Sequence, residues 1–125
     1  MRLFTFIALV LTLRLSLSAK NSIVVEEWAR VYDGSNNSVD IPTAFTLDRF
    51  GNTYISGRSA GPRGDQDIAT LKYSPSGQLL LELRYDGPAN NWDEAADIVV
   101  DNAGFIYVTG TTGTSSSTRN IVTFK

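Results

Sequence analysis

Residues 48–57 read DRFGNTYISG, and residues 101–110 read DNAGFIYVTG. The two stretches are 101 − 48 = 53 residues apart, and the same offset relates Tyr32-Asp33-Gly34 to Tyr85-Asp86-Gly87. When Glu26–Lys72 is aligned with Leu79–Lys125 without a gap, 12 of 47 positions are identical. A fixed period of this kind indicates a repeat architecture, in which each copy is one supersecondary unit.

Each copy has the pattern of short β-strands joined by turns. Asp-x-x-Gly turns at Asp48 and Asp101 separate segments rich in β-branched and aromatic residues, which is typical of hairpins. In these turns the Asp side chain can accept hydrogen bonds from backbone N–H groups of the turn, and the Gly can adopt a positive φ. Gly57 and Gly110 are predicted to end the second strand of each copy. The predicted strands are 44–48, 52–57, 67–73 and 79–85, then 97–101, 105–110 and 120–125, with 24–32 as a leading copy of the fourth strand.

Four strands per period of roughly 50 residues are typical of a β-propeller blade. The sequence therefore predicts an all-β chain with two blades of four antiparallel strands, over about 26–78 and 79–125. Known propellers have about four to eight blades, so this is an incomplete propeller. Several copies could assemble into one ring and exchange a terminal strand, or the chain could be a truncated piece of a longer repeat protein.

The residue pattern of the first copy resembles the bacterial β-propeller repeat known as the SBBP repeat. The matching residues are Trp28, Tyr32, Gly34, Asp40, Asp48, Gly51, Asn52, Tyr54, Ile55, Gly57, Asp67, Lys72, Tyr73 and Gly77. The second copy departs from the pattern at Leu81, Phe105 and Asn120. The resemblance implies an exported propeller scaffold, with Trp28 packed within a blade, and implies no defined activity.

The N-terminus has the order of a secretory signal peptide. Arg2 precedes an apolar run from Leu3 to Leu13, and small residues follow at 16–19. The run is too short for a membrane span, which needs about 20 apolar residues, although Arg14 is unusual in a signal. We expect residues 1–19 to be removed and residues 20–125 to be secreted, with no membrane span left in the mature chain.

The composition excludes several functions. The chain has no cysteine and no histidine, so it cannot form a disulfide, a thiolate nucleophile or an imidazole base by itself. Its net charge of −2 disfavours nucleic acid as a partner. We predict no catalytic residue, no cofactor and no metal site.

One loop stands out as a candidate binding site. Trp92 lies beside Asn90, Asn91 and Asp93, and an exposed aromatic ring next to amides suits a carbohydrate. Residues 86–94 have two other interpretations. They could form a solvated loop between the blades, or their oxygens could bind calcium. Asp65 and Asp67 are interpreted as solvated loop charges, because the second copy has Thr118 and Asn120 there.

The leading hypothesis is a non-enzymatic binding or scaffold module for polysaccharide or protein at the cell surface. The alternatives are a truncated fragment of a larger propeller hydrolase or lyase, and a structural remnant with no activity of its own. We also expect self-association or pairing with further blades, because open sheet edges and uncovered faces invite it.

Overall fold

The computed structural model describes residues 25–125, and this part of the chain is built from seven strands. They form two antiparallel sheets in sequence order, β1-β2-β3-β4 and β5-β6-β7. A single 3₁₀ turn at Ser35–Asn37 precedes the first sheet. The strands are β1 Asp40–Leu47, β2 Thr53–Ala60, β3 Gln66–Tyr73, β4 Leu79–Tyr85, β5 Asp93–Val100, β6 Ile106–Gly113 and β7 Arg119–Phe124. The prediction of an all-β chain with two blade-like sheets is confirmed, and the second sheet has three strands.

The described residues contain no helix with the length and apolar character that a membrane crossing requires. The predicted signal peptide at residues 1–19 lies outside the described residues.

The predicted ends of the second strands are wrong, because Gly57 and Gly110 lie inside β2 and β6. A Cβ on Gly57 would stand 2.1 Å from the Ile41 carbonyl oxygen, and one on Gly110 would stand 2.2 Å from the Glu94 carbonyl oxygen. The register of the partner strands β1 and β5 shifts at this point. The glycines therefore accommodate a bulged neighbouring strand, a common role for glycine within a sheet.

The leading strand predicted at 24–32 is also wrong over its described part, since residues 25–34 form no strand. Instead, the Trp28 indole N–H donates to the Pro75 carbonyl oxygen at 3.0 Å, and its ring lies 5.9 Å from that of Tyr73. The segment packs against the first blade through side chains. A strand exists only where a neighbouring edge supplies ladder hydrogen bonds, and the outer position of the first sheet is already taken by β4.

The core lies between the two blades. Tyr54 and Ile68 of the first sheet pack against Ala95, Ile98 and Val108 of the second, and all five are at most 2% exposed. Successive residues of a strand face opposite sides of the sheet, so each sheet buries one face here. The other face of each sheet has no blade against it among residues 25–125.

The Asp-x-x-Gly turns have the predicted role in stabilising the hairpins. One Asp48 carboxylate oxygen accepts the backbone N–H groups of Phe50 and Asn52, and Gly51 has a φ of +79°. Desolvation acts against ionisation of Asp48, but hydrogen bonds, led by those from Asn52, outweigh it and lower the pKa to about 2. Asp101 repeats the arrangement in the second blade.

Candidate binding site

The loop between β4 and β5 is held by the carboxylate of Asp93. One oxygen accepts the Gly87 N–H at 2.6 Å and the other accepts the Gly113 N–H at 3.3 Å. The Asp93 side chain is fully buried. In the first copy, the equivalent Asp40 accepts the Gly34 N–H. Of the four predicted site residues, Asp93 is thus the one that anchors the loop to the end of its blade.

The two asparagines also make contacts within this region. Asn90 adopts a positive φ of +48°, a conformation that Asn tolerates better than most residues, and its side-chain oxygen accepts a hydrogen bond from Arg63. The Asn91 side-chain oxygen accepts the backbone N–H of Trp92 at 3.1 Å. These contacts shape the loop and leave the Trp92 ring at its surface.

Trp92 is flanked by two arginines. The Arg58 guanidinium carbon lies 4.5 Å from the centre of the Trp92 ring, and that of Arg119 lies 5.3 Å from it. Arg58 is also 3.6 Å from a carboxylate oxygen of Glu94, so two cations and one anion surround the ring. The tryptophan side chain remains partly open, because 36% of the residue is exposed.

This cluster straddles the boundary between the blades. Arg58 comes from β2, Trp92 from the β4–β5 loop, and Arg119 from β7. The sequence singles out Trp92 but does not show its contacts with Arg58 and Arg119, which are 34 and 27 residues away in the chain (92 − 58 and 119 − 92). The available signal was the repeat itself, because strands of adjacent blades bring their ends to a common rim.

A second cluster gathers three carboxylates. One oxygen from each of Asp65, Asp67 and Asp86 lies within 4.8 Å of the others. Arg63 contacts both Asp65 and Asp86, and Arg84 lies 3.4 Å from Asp67. A hard cation could use these three oxygens, but it would compete with the two guanidiniums that are paired with them.

The interpretation of this pair as solvated loop charge is wrong for Asp67, which is only 3% exposed. Burial, followed by the neighbouring charges of Asp65 and Asp86, raises the pKa of Asp67. Asp67 is buried because β3 starts at Gln66 and carries Asp67 into the sheet. Asp86 also approaches it, from the β4–β5 loop.

The two clusters have different chemical capacities. An indole ring beside guanidinium groups can stack on a sugar ring and pair with a carboxylate. The carboxylate cluster is an ion-pair network that ties the β2–β3 loop to the β4–β5 loop. The first cluster is therefore the candidate binding surface, and the second supports it.

Comparisons with curated proteins and with solved structures gave no match. A comparison with protein-family models gave a match over residues 87–116, which include the β4–β5 loop except its first residue, all of β5 and all of β6. The matched family is SBBP, described as a beta-propeller repeat. Residues 87–116 are thus similar to the SBBP β-propeller repeat.

Proposed function

We propose that this chain is an exported, non-enzymatic β-propeller module that binds an acidic polysaccharide at the cell surface. The single observation that carries the proposal is the exposed Trp92 ring with Arg58 and Arg119 beside it. Aromatic stacking provides contact with any sugar ring. The two guanidiniums add a preference for sugars that carry a carboxylate, because Arg pairs with carboxylates in a bidentate geometry.

The absence of enzymatic activity is part of the proposal. The sequence offers neither histidine nor cysteine as a base or nucleophile. The gathered carboxylates of Asp65, Asp67 and Asp86 are each paired with Arg63 or Arg84, whereas general acid–base hydrolysis needs a pair of carboxyl groups that reach the substrate. A fragment of a larger hydrolase or lyase remains the rival hypothesis, and it predicts polysaccharide cleavage.

Export to the cell surface is supported by the sequence. The apolar leader at residues 1–19 and the lack of cysteine are both compatible with a secreted bacterial protein. Fractionation of the native host tests this part: the protein should be found outside the cytoplasm, without residues 1–19.

A binding experiment with matched variants tests the ligand. Binding of the full chain to immobilised uronate polysaccharides and to neutral glucans is measured at low and high salt. We expect preferential binding to the uronates, and a loss of about tenfold or more in affinity for Trp92→Ala, which corresponds to about 1.4 kcal/mol or more. Phe50→Ala is the control, because Phe50 is 68% exposed and carries its own arginine, Arg49, at 4.6 Å.

The outcomes separate the hypotheses. Equal affinity of Trp92→Ala and the parent chain would refute the site. If the chain bound a protein of the same cell surface and no polysaccharide, the ligand would be a protein and the polysaccharide proposal would be wrong. Release of sugar fragments during the assay would contradict the non-enzymatic proposal.

A further inference from the structure

The two ends of the described chain are complementary. In the first blade, β3 pairs with β4 as its outer neighbour. Among residues 25–125, no strand pairs with the outer edge of β7. The segment 26–32 aligns with residues 79–85 of β4 at the repeat offset, and Tyr32-Asp33-Gly34 is identical to Tyr85-Asp86-Gly87. Residues 25–125 therefore leave the outer edge of β7 unpaired and include, at their start, a segment in the repeat position of β4.

The segment already lies where the outer strand of a preceding blade would lie. Between the two blades, Tyr85 at the end of β4 stacks on Phe124 of the next blade, with ring centres 4.9 Å apart. Tyr32 is the repeat equivalent of Tyr85, and it lines a cavity with Leu71, the equivalent of Phe124. The segment thus contacts the first blade much as β4 contacts the second.

This contact is on the side of the first blade that faces away from the second. The cavity is lined by Ile55 and Leu71, whereas the interblade core contains their opposite-facing neighbours Tyr54 and Ile68. The Arg30 guanidinium donates to the Gly77 carbonyl oxygen at 2.7 Å. The segment is consequently far from the open edge of β7 in its own chain, which belongs to the second blade.

The uncovered faces match in the same way. Ile68 is 1% exposed where the second blade covers it, and its equivalent Ile121 is 84% exposed. On the opposite side, Ile98 is 2% exposed and its equivalent Phe45 is 72% exposed. Phe45 and Ile121 are therefore each equivalent to a residue that is buried between the blades.

We propose that copies of this chain assemble head to tail, with residues 26–32 of one copy added as the fourth strand on β7 of the next. The face around Phe45 then packs on the face around Ile121, repeating the contact within the chain. Two blades per copy and about four to eight blades in known propellers give a ring of about two to four copies. Strand addition pairs the outer edge of β7, and closure covers the two uncovered faces, so that only the short outer edges of the blades remain open.

The register follows from the first blade. Thr70 pairs with Leu83 in the β3–β4 ladder, so the repeat offset places Thr123 of one copy opposite Arg30 of the next. Both residues are exposed and lie outside the interblade core, so substitution there should leave each blade folded. The chain has no cysteine of its own, which removes any background in a disulfide experiment.

The test mixes two single variants of the full chain, Arg30→Cys and Thr123→Cys, under mild oxidation. We expect a disulfide-linked heterodimer as the main product, because the pairing joins two different copies. The control replaces Arg30→Cys by Val25→Cys, which lies five residues out of register, about 16 Å along an extended chain, and should give little of that product. Light scattering of the parent chain should show one oligomer of two, three or four copies.

Two results would overturn the proposal. The first is a parent chain that stays monomeric at every concentration tested, which would mean that further blades come from another chain or from elsewhere in the protein. The second is equal cross-linking by the Arg30 and Val25 variants, which would indicate random collision rather than a defined strand register.

Discussion

Ile68 and Ile121 occupy equivalent positions in the two blades, but only Ile68 is buried between them. Substitution of Ile68 therefore tests the contact between the blades, and the same substitution at Ile121 is its control. Full burial of an isoleucine side chain contributes about 1.5–3 kcal/mol. With 84% of Ile121 exposed, the remaining 16% corresponds to about 0.2–0.5 kcal/mol on the same scale. Ile68→Ala also leaves a cavity between the blades, so we expect it to lower the free energy of unfolding by about 2–5 kcal/mol. Ile121→Ala should change it by less than about 0.5 kcal/mol.

The assay is urea unfolding followed by tryptophan fluorescence, at a concentration where light scattering shows a monomer. If Ile68→Ala does not fold, Ile68→Val keeps the comparison, with an expected loss of about 0.5–1.5 kcal/mol. At higher concentration, Ile121→Ala should also lower the free energy of unfolding, because the proposed ring would cover this residue. Equal losses for Ile68→Ala and Ile121→Ala in the monomer would refute the assignment of one covered and one uncovered face.

Three further predictions concern the scaffold. Gly57→Ala should lower the free energy of unfolding by about 1–3 kcal/mol, because its Cβ would meet the Ile41 carbonyl oxygen; an unchanged melting temperature would contradict this. The pKa of Asp48 falls from 3.8 to about 2 on folding, so its contribution to stability is complete above about pH 4 and is lost as the pH falls through 2. Asp48→Asn should flatten acid unfolding in that range, and an unchanged slope would contradict the assignment. Since each carboxylate of the cluster is already paired with Arg63 or Arg84, added Ca²⁺ should leave the melting temperature unchanged, and a saturable rise would reveal a cation site.

The blade architecture was predictable because its signals are local and repeated. The positive φ of Gly51 and the side-chain bonds of Asp48 depend on a few adjacent residues, so the turn pattern predicts them. Strand β4 also has the predicted bounds, 79–85. The position of Gly57 was not predictable to the same degree. Glycine is common both at the end of a strand and opposite a β-bulge of the neighbouring strand. Only the register of β2 with β1 shows that Gly57 has the second role.

The candidate site was only partly predictable for a related reason. Trp92 stands out in the sequence because it is one of the chain's two tryptophans and lies in a polar loop. Its neighbours Arg58 and Arg119, however, reach it from strands of different blades. The approach of Asp86 to Asp65 and Asp67 likewise depends on two loops sharing one rim. Composition and spacing describe each loop separately, whereas the contacts between loops are set by how the sheets stack.

Stacking also explains why a ring is a more stable product than an open row of copies. In a repeat architecture, stability is approximately a sum over units and over contacts between neighbours. An open row of n copies has n − 1 contacts between copies and leaves one Phe45 face and one Ile121 face uncovered. A closed ring of the same n copies has n contacts and leaves neither, and the final contact forms within one assembly, so it avoids the association cost of adding another copy. The ratio of closed rings to open rows of the same n copies is therefore independent of protein concentration. Rings should predominate over longer rows while the protein concentration stays below the effective concentration of the two free ends of one row, provided that the angle between blades permits closure.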